Sequence, residues 1–238
     1  MGLNLTEETC QRLCAFGEAV VEQNKVMNLT AITEPDQVAK LHLLDSISLL
    51  SLMDLSGKKM IDVGCGAGFP GVPVKIACPD VKLTLLDSLG KRMRWLEAVL
   101  PTLGVEAECI TARAEEAVLD RRESYDVATS RAVARLNILL ELTAPYVKVG
   151  GVVLAMKGAA AEEELAESKS AISKLGLKLE KVHIFPVDDT AHNVIVLRKV
   201  SPTPPKYPRA YAKIKKAPLL KQKQNKLFFK KRLQKSLQ

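Results

Sequence analysis

IDVGCGAGFPGVPVKI, residues 61–76, decides how the rest of the chain is read. It begins as a short apolar strand and breaks into four glycines within eight residues: Gly64, Gly66, Gly68 and Gly71. One or two glycines suffice for a tight strand-to-helix turn. Four leave backbone with no Cβ in the way of a ligand and with access to positive φ. The register Gly66-x-Gly68-x-x-Gly71 matches the dinucleotide fingerprint in form. However, it starts two residues past the strand. It also sets Pro70 and Pro73, which have no N–H, where a phosphate-binding helix should donate. The register Gly64-x-Gly66-x-Gly68 starts at the strand end and suits a nucleoside without a pyrophosphate.

Outward from this loop, short strands alternate with helices. Strands are expected at 58–64, 81–87, 105–110, 125–130 and 150–158, with helical periodicity over 91–104, 133–145 and 161–176. Segments 177–185 and 192–200 are separated only by PVDDTA, which predicts a hairpin. The expected fold class is α/β: a Rossmann-like, mostly parallel seven-stranded sheet with an antiparallel terminal strand. Upstream, Thr6 is a candidate N-cap with Glu7 and Glu8 behind it. Thr33-Glu34-Pro35 opens a second helix through VAKLHLLDSISLL. The expected divisions are an N-terminal helical extension at 1–56, the sheet domain at 57–200 and a basic, flexible tail at 201–238.

Open α/β sheets bind ligands outside the C-terminal ends of their strands. Asp62 lies just inside the first strand end, where it could face a ligand's amino group. Asp87 closes the second strand, 23 residues after Gly64, where a carboxylate can accept both ribose hydroxyls. Glycine loop, acid at the second strand end and terminal hairpin together point to a class I methyltransferase dependent on S-adenosylmethionine (AdoMet).

The net charge of +8 is unevenly placed. Residues 201–238 hold twelve Lys and Arg and no Asp or Glu, while the rest holds 23 basic against 27 acidic side chains. Such a tail suits phosphates. Its removal is expected to weaken RNA binding and leave the cofactor site alone, unless Tyr207, Tyr211 and Ile214 dock on the body. Lys91, Arg92 and Arg94 open a helix against its dipole, a further hint of phosphate contact. The five cysteines (10, 14, 65, 78 and 109) include no CxxC and are expected reduced, with no metal site. No apolar run reaches the roughly 18 residues of a membrane span. The first residues lack a signal peptide's pattern, so a cytoplasmic protein is expected.

Seven stretches occur in one order: NKVMNLTAI (24–32), HLLDS (42–46), DVGCGAGFPGVPVKI (62–76), LLDSLGKR (85–92), RAEE (113–116), SRAVARL (130–136) and GGVVLAMKG (150–158). Together they resemble the RsmG (GidB) family, bacterial small-subunit rRNA 7-methylguanosine methyltransferases, over residues 5 to 218. Cys65 departs from the Ser or Thr expected there. The stretch after Leu219 exceeds the usual terminus. The resemblance implies AdoMet contacts by Gly64, Phe69, Ala114, Glu115 and Arg131, to which the residue reading adds Asp62, Gly66, Gly68 and Asp87. Arg131, just past the fourth strand, is the candidate catalytic residue. Lys91, Arg92, Arg94, Arg113, Lys206, Arg209, Lys213, Lys215 and Lys216 are candidate RNA contacts. The implied partner is 16S rRNA or the small ribosomal subunit, with the enzyme a monomer. Guanine N7 carries a free lone pair, so its methylation needs no deprotonation and rests on proximity and orientation. The chain accordingly lacks an Asn/Asp-Pro-Pro-Tyr motif after the fourth strand; ATSRAVA stands there. Two other readings compete: an RNA-binding assembly factor without catalysis on the same scaffold, and an NAD-dependent oxidoreductase.

Overall fold

The structure, a computed structural model, describes residues 3–187 and 190–220. Among them seven strands form one sheet: β1 (Lys59–Val63), β2 (Lys82–Asp87), β3 (Glu108–Thr111), β4 (Tyr125–Arg131), β5 (Val147–Lys157), β6 (Leu177–Val187) and β7 (Thr190–Lys199). Their order is β3-β2-β1-β4-β5-β7-β6. β1 to β5 run parallel, and β7 is antiparallel to both β5 and β6. Chain order reverses between β1 and β4, so the crevice of the fold opens above those two strands. The last strand in the chain is the antiparallel one, but it sits inside the sheet rather than at its edge. The side chains explain this: Val194 to Leu197 of β7 are buried on both faces, whereas Lys178, Glu180 and Lys181 of β6 suit an exposed edge.

The strands alternate between two cores. Met60, Val152, Leu154, Met156, Val194 and Val196 face one; Ile61, Val63, Val153, Ala155, Ile195 and Leu197 face the other. The first face is covered by α1 (Glu7–Met27), α2 (Pro35–Val38), α3 (Asp45–Ile47), α4 (Gly71–Ala77) and α5 (Gly90–Thr102). Thr6 caps α1 by accepting the Thr9 N–H at 3.1 Å. A π-helical turn, Ala39–Leu44, joins α2 to α3. Leu13, Phe16 and Val20 of α1 share one core with the strands. The short α6 (Ala114–Ala117) follows β3. The second face carries α7 (Leu136–Thr143), α8 (Ala161–Glu167) and α9 (Lys169–Lys174).

Residues 201–220 depart from the expectation of a flexible tail. They lie against the second face and end in α10 (Tyr211–Lys216). Tyr207, Ile214 and Leu219 are buried. Glu141 of α7, fully buried, takes hydrogen bonds from the Arg209 backbone N–H (2.9 Å), Nε (2.8 Å) and Nη2 (2.6 Å). Arg122 donates to the carbonyls of Thr203, Pro204 and Tyr207. A buried carboxylate demands a cation, and the basic segment supplies it. The extension after Leu219 falls, beyond Leu220, outside the described residues.

This clamp makes a testable prediction. Arg209→Ala strands the Glu141 carboxylate and should cost about 3 kcal/mol in urea unfolding. Glu141→Leu combined with Arg209→Met removes both charges and should recover most of that loss. A double variant as unstable as the single one would show that the charges themselves stabilise the docked segment.

Candidate active site

A cleft of about 1040 Å³ opens at the C-terminal ends of β1, β2 and β4. Its floor is the glycine loop, where Gly64 has φ +74 and Gly66 φ +58. A Cβ on Gly66 would meet nothing closer than Arg92 Nη1 at 4.0 Å, so it would project into open space. A Cβ on Gly64 would come 2.4 Å from Val133 Cγ2 on the neighbouring loop.

The other two glycines do different work. Gly68 is buried, and a Cβ there would press on Val72, Leu96 and Phe16. Gly71 lets α4 approach the sheet, with Leu85 Cδ2 only 2.8 Å from a would-be Cβ. Gly68 therefore does not reach the cleft as expected. Asp62 does not either: it sits on the α4 face of β1, fully buried, with Oδ2 accepting the Gly71 N–H at 2.9 Å. Period-2 alternation along β1 turns it inward. The dinucleotide register fails for the same reasons. The Gly71 N–H belongs to Asp62, and those of Val72 and Val74 to the carbonyls of Gly68 and Pro70.

Asp87 does line the cleft. Its Oδ2 accepts the Gly66 N–H at 3.0 Å and its Oδ1 the Leu89 N–H at 2.8 Å. Each carboxylate oxygen keeps a lone pair for a ligand. Ala114 and Glu115 line the same end, beyond β3, beside Arg113 and Tyr211. Phe69 is buried at the opposite end, its ring centroid 4.7 Å from His42 and 5.3 Å from Phe16.

Arg131 ends β4 beside the loop. Its Nη1 donates to Leu41 O (3.0 Å) and Asp45 Oδ2 (3.2 Å), and its Cζ lies 5.0 Å from the Phe69 ring centroid. Asp45 Oδ1 meets His192 Nδ1 at 2.9 Å. His42 stands between: Nδ1 is 3.2 Å from Arg131 Nη2, and Nε2 is 2.8 Å from Thr30 Oγ1. Nδ1 also lies 3.1 Å from Leu41 O, so it sits between a donor, the Arg131 guanidinium, and an acceptor, the Leu41 carbonyl. Burial, reinforced by the Arg131 charge, lowers the His42 pKa from 6.5 to about 4. On the far side Lys157 Nζ pairs with Glu164 Oε2 at 2.9 Å. The carboxylates and imidazoles of this half of the cleft are thus engaged with protein partners.

Thr30, His42, Asp45, His192 and Tyr211 were not among the site residues expected from sequence. His42 and Asp45 share one face of a helical segment at i, i+3, within the HLLDS stretch (42–46). Among the expected RNA contacts, Arg92 and Arg113 line the cleft, while Lys91, Arg94, Lys206, Lys213, Lys215 and Lys216 are exposed. Arg209 is not available to phosphate. Its guanidinium is committed to Glu141 and to Ala217 O. No group of His, Cys, Asp and Glu that could hold a metal occurs among the described residues, and no described helix is long and apolar enough to cross a membrane.

Two titrations oppose each other here. The unfolded chain takes a proton at the ordinary 6.5 that folded His42 refuses until about 4, so stability falls as pH drops through that window. Burial raises Asp62 from 3.8 to about 7, so the folded chain binds that proton first and stability rises as pH drops from about 7 to 4. Relative to the parent, His42→Gln should gain stability between about pH 7 and 4.5, and Asp62→Asn should lose it. Denaturant unfolding at both pH values checks this; parallel profiles for all three proteins would contradict it.

Comparison with known proteins gives a consistent picture. A family model described as GidB, rRNA small subunit methyltransferase G, matches residues 9–192. The Ribosomal RNA small subunit methyltransferase G of Clostridium kluyveri is 43% identical over 223 residues, covering 92% of this chain and 94% of its own. That of Acetivibrio thermocellus is 44% identical, with 92% of each chain covered. Among solved structures, M. jannaschii TYW2 in complex with AdoMet superposes with a TM-score of 0.53 at 13% identity, covering 66% of this chain and 76% of that one. A putative methyltransferase from Bacillus halodurans gives 0.53 at 16% identity, covering 66% of this chain and 100% of its own. These two likenesses establish the fold, and the sequence matches establish the family: the chain belongs to the GidB family, described as rRNA small subunit methyltransferase G.

Proposed function

We propose that this chain transfers a methyl group from AdoMet to N7 of a guanine in 16S rRNA of the small ribosomal subunit. The observation that carries the reading is the pairing, in one cleft, of the open backbone at Gly66 with the Asp87 carboxylate. The residues present fit AdoMet. Asp87, at the end of β2, takes the ribose hydroxyls. Ala114 and Glu115, beyond β3, would hold the adenine end, and Gly64 and Arg131 the methionine half. Bound there, AdoMet supplies an activated sulfonium methyl group.

The rest is positioning. His42, Asp45, His192 and Glu164 are held by protein partners, so none of these four stands unengaged beside the Arg131 end of the cleft. An acceptor with a ready lone pair suits that arrangement, and guanine N7 is one. Arg131 keeps N–H groups beyond those donated to Leu41, Asp45 and His42. One of them can read O6 next to N7 while leaving N7 free. Arg92, Arg113 and the exposed lysines of α5 and α10 are suited to rRNA phosphates, which orient the substrate without reading its sequence.

Binding of S-adenosylhomocysteine, followed by calorimetry, tests the cofactor site. Asp87→Asn should weaken it by about 1.5–3 kcal/mol, roughly 10- to 150-fold. Gly66→Ala should abolish measurable binding while lowering stability by only about 1–2 kcal/mol, the cost of a left-handed alanine. Transfer of labelled methyl to small subunits from cells lacking this protein, followed by nucleoside mass spectrometry, should yield 7-methylguanosine. Another methylated nucleoside would overturn the N7 assignment, and binding without transfer would favour the assembly-factor reading.

Arg131→Lys keeps a cation beside Asp45 but loses the fork. It should lower the single-turnover rate by about 100-fold with AdoMet affinity changed far less. An unchanged rate would remove Arg131 from the reaction centre.

A further inference from the structure

The C-terminal segment was expected to contact RNA, with docking on the body through Tyr207, Tyr211 and Ile214 as the alternative; the docked segment also reaches the cleft. Tyr211, the first residue of α10, is part of the cleft wall. The N–H groups of a helix's first turn have no partner within the helix. That of Tyr211 is donated to Glu115 Oε1 at 3.3 Å. The Arg113 Cζ lies 6.0 Å from the Tyr211 ring centroid, so the ring is braced from β3's own loop. The segment is held there by the Glu141 clamp on Arg209, two residues before Tyr211.

We infer that Tyr211 is an adenine-positioning residue: its ring walls the adenine end of the cofactor cleft and its backbone N–H holds Glu115 to face the base. The inference rests on AdoMet binding in this cleft as proposed above. Strand order supplies the placement. With the ribose at Asp87, the base lies toward β3 and α6, where Ala114, Glu115 and Tyr211 meet. With Oε1 tied to Tyr211, Glu115 presents Oε2, which accepts no hydrogen bond among the described residues. A carboxylate oxygen there suits the exocyclic amine of adenine. An aromatic wall beside it adds contact area and stacking to a flat base. The C-terminal segment is thereby a component of the cofactor site, and its loss removes both the wall and the restraint on Glu115.

Two ligands locate the effect: S-adenosylhomocysteine, and 5′-methylthioadenosine, which keeps the adenosyl half and lacks the amino-acid half. Calorimetry on the full chain should show Tyr211→Ala binding both 10- to 100-fold more weakly than the parent, with Tyr211→Phe close to the parent. Tyr211→Leu carries the same comparison should the alanine variant melt below the assay temperature. A loss seen with S-adenosylhomocysteine but absent with 5′-methylthioadenosine overturns the assignment, because the contact would then lie at the amino-acid end. Parent-like affinity of folded Tyr211→Ala and Tyr211→Leu for both ligands overturns it alone and leaves the cofactor reading intact. A parent that binds neither ligand overturns the cofactor reading and this inference with it.

Discussion

The buried carboxylate of Asp45 ties together parts of the chain that are far apart in sequence. It accepts from Arg131, 86 residues on, and from His192, 147 residues on. The three come from the N-terminal helical segment, the end of β4 and the start of β7. Burying charge is costly unless it is paired and hydrogen-bonded. Each partner therefore has one low-energy place, and the cleft wall they form is set by that requirement. Arg131 is held over Phe69 by it, and His42 is kept neutral between Arg131 and Thr30. The helices before the sheet are thus part of the site rather than an appendage to it.

The glycine loop shows a second division of labour. Gly64 and Gly66 face the cleft, while Gly68 and Gly71 allow α4 and the N-terminal helices to press against the sheet. Two carboxylates hold the loop from opposite sides: Asp62 from beneath through the Gly71 N–H, and Asp87 from above through the Gly66 N–H. A loop rich in glycine loses much conformational entropy on ordering. The hydrogen bonds these two side chains accept from its backbone oppose that loss. The same Asp87 that braces the loop lines the cleft, and each of its oxygens keeps a lone pair beyond the N–H it accepts.

Basic residues at the C-terminal end likewise split by environment. Arg209 faces a buried glutamate and becomes an anchor; Lys213, Lys215 and Lys216 on the following helix remain exposed. Composition treats all four alike. The difference arises because α7 places the Glu141 carboxylate against Arg209. Once anchored, the segment brings Tyr211 to Glu115, and a stretch that looks like an electrostatic tail becomes a wall of the cleft.

Local pattern was enough for much of this protein. The alternation of strands and helices, the turn at Gly64, the cap at Thr6 and the acid ending β2 are all consequences of short-range rules, and each is legible within a few residues of chain. These placed the fold class, the cleft above β1 and β4, and Asp87 within it. Tertiary structure decided the rest. The inward turn of Asp62 depends on the phase of β1 against α4, and the inner position of β7 on which hairpin strand can be buried on both faces. The alliance of His42, Asp45, Arg131 and His192 and the docking of Tyr211 depend on contacts across most of the chain. A buried charge specifies its partner only through the space around it, and that space exists only once the chain has folded.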